Sequence, residues 1–246
     1  MTTHTATRPE TESPGKQRIR EAARQAIVEH GFDLAASRAI TSAAGVSSAL
    51  LFYHYGSLEE CLVDAVDSSV HNVFTRLYDA LGGVDDPVLR ARILLEWHVP
   101  SSPTQRQEWL LSFEFVRASF RLPSITPTVR AQYDKWQAAI VGEYLLIRPE
   151  MGSKAAVLTA KRLIGLSDGL GLHLILRDPS MREADVRTAI SATMSEDLGI
   201  PPEKLVGAAS AIKTRLAVLR GSESGHGAES TAAGELCQTA LDGVAR

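Results

Sequence analysis

Cysteine is scarce in this chain: Cys61 and Cys237 are its only two among 246 residues. Two distant thiols exclude a disulfide framework and a cysteine-based zinc site. Long apolar runs are also missing. The most apolar stretch, 163–176, is about 14 residues long and carries Asp168 and His173, against the roughly 20 apolar residues that a bilayer-spanning helix needs. The N-terminus shows no basic segment followed by an apolar run, so no secretory signal is expected, and a reducing cytoplasm without membrane partners is the expected setting. Runs that alternate apolar and polar residues are absent, which argues against strands. A glycine-rich phosphate loop, a nucleophile elbow and a zinc-protease helix motif are all lacking, so no enzyme and no cofactor or metal are expected.

One absence is local. Over residues 16–60 the bases Lys16, Arg18, Arg20, Arg24 and Arg38 balance the acids Glu21, Glu29, Asp33, Glu59 and Glu60, yet residues 34–58 hold no acid at all. The formal net charge of −3 does not announce a nucleic-acid binder. A surface that faces DNA, however, needs a local lack of negative charge more than a basic total.

What is present is helical periodicity in a composition of 44% hydrophobic and 22% charged residues, that of a globular protein. Residues 1–15, with two prolines and no periodicity, read as a flexible arm, either an unbound tail or a segment whose Arg8, with Lys16 and Arg18, reaches phosphates. Ile19, Ala22, Ala23, Ala26 and Ile27 make one apolar face, which predicts a helix over 16–30 ended by Gly31. Short helices follow over about 37–43 and 47–53, with Ser47 as N-cap, and Ser57-Leu58-Glu59-Glu60 fits a capping box that opens a longer helix to about 81. Gly82-Gly83, Pro100 to Pro103, Pro123, Pro149 to Gly152 and Asp178-Pro179 separate further helices over about 87–99, 104–121, 127–147, 153–177 and 182–198. A last helix is expected from Pro202 to about Arg220, and the Gly/Ser/Ala-rich residues 221–246 read as a disordered tail.

Two short helices around the Gly45 turn have the layout of a helix-turn-helix, whose second helix can enter the major groove. The residue types in 31–62, GFDLAASRAITSAAGVSSALLFYHYGSLEECL, go further: Gly31, Phe32, Arg38, Ile40, Ala44, Gly45, Val46, Ser47, Leu51, Tyr53, His54, Ser57, Glu59 and Leu62 resemble the DNA-binding domain of the TetR family of transcriptional regulators. The string DGLGLHLILRDPSM, 168–181, is similar to the C-terminal domains of that family's betaine-type subgroup. The resemblance implies an all-α protein with a three-helix head over 16–62 and a helical ligand-binding and dimerisation domain over 63–220. It implies a homodimer that binds near-palindromic, double-stranded operator DNA as a repressor and releases it for a small-molecule effector. It places Ser37, Arg38, Ser47, Ser48, Ala49, Leu50, Tyr53 and His54 at the DNA, while Leu51, Phe52 and Tyr55 are expected to pack inside.

The chain departs from the family pattern in places. Ala35-Ala36 stand where a hydroxyl usually opens the second helix, leaving Ser37. Ala49 and Leu50 replace a glycine and a threonine, and Leu50 is suited to a thymine methyl. Phe52 replaces a tyrosine and Leu58 a lysine, which removes phosphate partners. These losses keep open an alternative, a ligand-sensing or interaction protein of the same fold whose DNA contacts have decayed.

All three tryptophans, Trp97, Trp109 and Trp136, fall in a 40-residue stretch with His98, Phe113, Phe120 and Tyr133. Such a set is either ordinary core or an apolar pocket. On the pocket reading Trp97, Trp109, Phe113, Tyr133 and Trp136 line it, and Arg117, Asp168 and His173 orient the ligand; an aromatic cage would suit a quaternary amine. Gly165, Gly169 and Gly171 suggest close backbone approach of another helix, within the chain or across a dimer. Glu60, Asp64, Asp67 and His71 share one helix face, which reads as solvated rather than as a metal site because no partner helix matches it.

Overall fold

The computed structural model describes residues 12–206 and 213–221, and among them every regular element is helical. The order is α1 (Pro14–His30), α2 (Ser37–Ala44), α3 (Ser48–Tyr55), α4 (Leu58–Leu81), α5 (Pro87–Trp97), α6 (Pro103–Ser119), α7 (Thr126–Ile147), α8 (Ser153–Ile175), α9 (Glu183–Leu198), α10 (Pro202–Val206) and α11 (Lys213–Arg220). Two compact units divide the chain, Met1–Asp67 and Ser68–Arg246.

In the first unit α1 starts two residues ahead of the expected Lys16. Ser13 and Pro14 are the reason: the Ser13 hydroxyl accepts from the Lys16 N–H, and Pro14 occupies the first turn, where its missing N–H costs nothing. Ile19, Ala23, Ala26 and Ile27 form the buried face, and Gly31, at φ 83°, ends the helix by donating to the Ile27 carbonyl. Gly45 (φ 63°, ψ 40°) adopts the left-handed conformation that closes α2 and turns the chain into α3. Ile40 and Leu51 are wholly buried beside Ile19 and Ile27, each such side chain contributing roughly 1.5–3 kcal/mol by leaving water.

Phe52 is not in this core; it is 46% exposed. An eight-residue helix offers one inward stripe, and Leu51 and Tyr55, one turn apart, fill it. Asp64 likewise departs from a solvated face. Its carboxylate accepts from Arg20 Nε at 2.7 Å and from the Tyr55 hydroxyl at 3.0 Å, tying α1, α3 and the first turns of α4 together. Cys61, fully buried beside them, has its thiol pushed up to about 12, first by burial and then by the Asp64 charge.

In the second unit α5, α7, α8 and α9 bury Leu94, Leu95, Ile140, Tyr144, Leu163, Ile190 and Met194, and α10 and α11 add Leu205, Leu216 and Leu219. A bidentate Arg90–Glu143 pair at 2.7 and 2.8 Å lies within this packing. The helix expected to run unbroken from Pro202 to Arg220 is described as α10 and α11; residues 207–212, between them, lie outside the described residues, as do 1–11 of the expected arm and 222–246 of the expected tail.

Candidate functional site

Two places concentrate exposed or unsatisfied chemistry, one in each unit. In the first, α3 begins at its N-cap Ser47, whose hydroxyl accepts from the Leu50 N–H at 3.2 Å. Ser47, Ser48, Ala49 and Tyr53 are exposed, Tyr53 at 82%, and Leu50 and His54 are half-buried. The Tyr53 and His54 rings meet edge to face at 5.2 Å. His54 Nε2 lies 3.3 Å from the Ser13 hydroxyl, and a Cβ on Gly15 would stand 3.3 Å from Leu50, so the start of α1 braces the outer side of α3. On α2 Arg38 is exposed and Ser37 half-buried. The α2 N-cap is Ala36, which supplies no side-chain bond to the first turn. No Asp or Glu lies between residues 34 and 58, so these residues present hydroxyls, a guanidinium and aromatic edges with no acid of their own.

In the second unit a cavity, part of it open to solvent, lies between α4, α5, α6, α7 and α8. Trp97, Trp109, Phe113, Tyr133, Trp136 and Asp168 line it. The walls follow helical period: Gln105, Glu108, Trp109, Ser112 and Phe113 come from one face of α6, and Ile164, Ser167 and Asp168 from one face of α8. The Tyr133 hydroxyl donates to Asp168 Oδ2 at 3.0 Å. Burial raises the Asp168 carboxyl above its ordinary value, and the Tyr133 bond offsets this only in part.

Three buried polar atoms on the wall, His98 Nε2, Trp136 Nε1 and Ser167 Oγ, have no hydrogen-bond partner. Unpartnered buried polar atoms are costly and mark a place where a ligand or water completes the site. Burial drives His98 down to about 3, so it is a neutral imidazole at physiological pH. Arg76, from α4, closes another part of the wall, its Nη2 donating to both Glu108 carboxylate oxygens at 2.6 and 2.7 Å. The charges on the wall are therefore one internally paired couple and the Asp168 carboxylate.

Arg117 and His173 lie outside this cavity. Arg117 sits a turn beyond Phe113 and bonds Glu114 at 2.8 and 3.1 Å. His173 is five residues past Asp168, about 140° around the helix, and pairs with Asp178 at 2.7 Å on the exposed side. Phe120 also leaves the aromatic set, at 83% exposure. Gly171 is enclosed by the Trp109 ring rather than by a neighbouring backbone, while Gly165 and Gly169 have open space around them. Sequence reasoning missed Arg76, Gln105, Glu108, Ser167 and Leu219. The signal for four of them was present: polar residues in the inward phase of an amphipathic helix.

Among the described residues no group of acidic, His or Cys side chains could hold a metal ion, and no helix is long and apolar enough to cross a membrane.

A three-helix head whose α2 and α3 flank a positive-φ glycine turn, followed by an all-helical unit with an aromatic cavity, defines a helix-turn-helix regulator with a sensor core. The family model for bacterial regulatory proteins of the tetR family matches residues 19–65, and that for the C-terminal domain of BetI-type transcriptional repressors matches 87–197. The chain belongs to the TetR family of transcriptional regulators. Among solved structures, a transcriptional regulator from Saccharomonospora viridis in complex with choline is 25% identical, with a TM-score of 0.67 over 75% of this chain and 97% of that one. A TetR-family regulator from Rhodococcus sp. is 18% identical, with a TM-score of 0.67 over 76% and 100%. The multidrug binding protein EbrR, complexed with imidazole, is 20% identical, with a TM-score of 0.52 over 77% and 97%. No curated protein matches the sequence significantly.

Proposed function

We propose that this regulator is a cytoplasmic repressor and not an enzyme: a homodimer that holds near-palindromic operator DNA through α3 and lets go when an organic cation enters the second-unit cavity. One observation carries the effector class. Asp168 is a carboxylate on a wall of three tryptophans and two further aromatics, with no cationic partner of its own among its bonds. A cation resting on aromatic faces beside that carboxylate would supply the missing charge. The choline found in the Saccharomonospora viridis relative is a cation of this kind and supports the reading.

In this reading Ser37, Arg38, Ser47, Ser48, Ala49, Leu50, Tyr53 and His54 meet the DNA, with hydroxyls and Arg38 on phosphates and Leu50 against a base methyl. The dimer face is the outer stripe of α8. Leu158, Gly165, Gly169, Leu172 and Leu176 repeat at near-heptad spacing, Leu158 and Leu176 are 71% and 69% exposed, and the glycines leave room for a partner helix. A two-fold dimer carries one α3 to each half-site. Release requires the cation to bind a DNA-incompetent arrangement more tightly than the DNA-bound one.

The test is fluorescence anisotropy of the protein with its own upstream intergenic duplex against a scrambled one, at two salt concentrations, followed by titration with choline. Selective, salt-sensitive binding that choline reverses, and that Asp168→Asn makes insensitive to choline, is the expected result. Exposed Phe52, at a place where a hydroxyl would reach phosphate, favours the second reading, a sensor of the same fold with decayed DNA contacts. Choline binding without DNA selectivity would establish that one instead.

A further inference from the structure

The helix α11 lies beyond both family-model matches, which end at residues 65 and 197. It is nonetheless built into the cavity. Leu219 is 2% exposed and is one of the lining side chains, and Leu216, a turn earlier, is 3% exposed in the core. Four polar ties hold the helix. Arg215 Nη1 donates to the Ala80 and Gly82 carbonyls at 2.7 and 2.9 Å, at the end of α4. Arg220 Nη2 donates to Glu96 at 2.9 Å on α5. The Ser102 hydroxyl, the N-cap of α6, donates to the Arg220 carbonyl at 3.2 Å. Arg76 Nε donates to the Leu219 carbonyl at 3.4 Å while its Nη2 holds Glu108.

The last carbonyls of a helix lack partners inside it and favour cationic donors, and Arg76 is such a donor. One guanidinium on the cavity wall thus fastens α4, α6 and α11 at once. The eight residues of α11 are marginal as a helix by themselves in water, and these contacts hold them in place. We infer that α11 is a wall of the effector cavity and that Leu219 is a ligand-contacting residue that sets how closely the site encloses its occupant. The inference rests on the reading of this cavity as the effector site. It adds a segment that lies outside both family models.

The test uses the chain's own reporters, since all three tryptophans line the cavity. Acrylamide quenching and tetramethylammonium titration are measured on the full chain, on Leu219→Ala and on a chain ending at Val206. Leu205→Ala, another buried leucine but one outside the cavity, controls for general loosening. Leu219→Ala is expected to raise acrylamide quenching, shift emission to the red and weaken tetramethylammonium binding roughly tenfold, with the shorter chain changing further in the same direction and Leu205→Ala leaving quenching unchanged. Unchanged quenching in a cooperatively folded Leu219→Ala would overturn the wall, and so would equal quenching in Leu205→Ala. Raised quenching with an undiminished affinity would overturn the contact with ligand. Raised quenching in a protein whose full chain binds no tetramethylammonium would uphold the wall and defeat the cationic-effector reading instead.

Discussion

Gly171→Ala tests the packing of the cavity with a change of one carbon. A Cβ at Gly171 would stand 2.0, 2.6 and 2.7 Å from Cζ3, Cε3 and Cη2 of Trp109. Carbon atoms rest at about 3.5–4.0 Å, so the ring must retreat by roughly 1.5 Å. Trp109 lines the cavity, and that is the side with space to receive it. Overpacking of this kind costs about 1–3 kcal/mol, while replacing a mid-helix glycine with alanine returns about 1 kcal/mol of helix propensity. The net expectation is a loss of about 0–2 kcal/mol, with the displaced indole occupying ligand space. In a Trp109→Ala background the new methyl meets nothing, and the same change should stabilise by about 1 kcal/mol. Urea unfolding of the four proteins in this double-mutant cycle gives the sign in each background. If Gly171→Ala stabilises equally with and without Trp109, the indole does not lie against Gly171 and the described wall is wrong.

Three further outcomes follow from the same geometry. Ala36→Ser supplies the side-chain cap that α2 lacks and should raise the unfolding free energy by about 1 kcal/mol in chemical denaturation. Arg38→Ala should weaken operator binding and reduce the slope of log affinity against log salt by about one, measured by anisotropy over a salt series; an unchanged slope would remove Arg38 from the phosphate contacts. His98 has a folded value, about 3, below its unfolded one, so its contribution to stability is present above about pH 6.5 and is lost as pH falls toward 3, where the unfolded chain takes up the proton first. The loss can reach a few kcal/mol at about 1.4 kcal/mol per unit, and His98→Gln should flatten the acid limb of a stability–pH curve.

The head was legible in the sequence because its signals are local. Gly31, Gly45, Ser47 and Ser57 each fix a helix end through their own backbone or hydroxyl, and Ile19, Ile27, Ile40 and Leu51 follow the inward phase; the Ser13-Pro14 start of α1 was not legible because it lies at the end of a segment without periodicity. Phe52, expected inside with Leu51 and Tyr55, falls outside because a helix of two turns has a single buried stripe, which Leu51 and Tyr55 already fill. Asp64 was misread for the opposite reason. A carboxylate on a helix face looks solvated until Arg20, 44 residues earlier in the sequence, is seen to reach it. In the second unit the helices were readable from breakers and period, but the cavity depends on which faces of α4, α5, α6, α7 and α8 converge. No single segment encodes that, and Leu219 arrives from a helix separated from α6 by the whole of the sensor core.

Helix α8 shows how much a sequence can say once a phase is fixed. At about 100° per residue, Ile164, Ser167, Asp168 and Gly171 fall on one side, and these are the residues that line the cavity or pack beneath Trp109. Leu158, Gly165, Gly169, Leu172 and Leu176 fall on another, where the two glycines have open space around them and the leucines are exposed. The glycines therefore divide by surroundings according to phase: Gly171 admits an indole, while Gly165 and Gly169 lie on the outer stripe. His173 belongs to neither side, which is why its contact with Asp178 is made on the exposed surface. A helix that is apolar on two faces gains by burying both, and among the described residues only one is covered. That unmet burial is the strongest physical argument for a second copy against α8, and Gly169→Leu offers its check: sedimentation velocity should find the dimer weakened, whereas an undisturbed dimer would place the interface elsewhere.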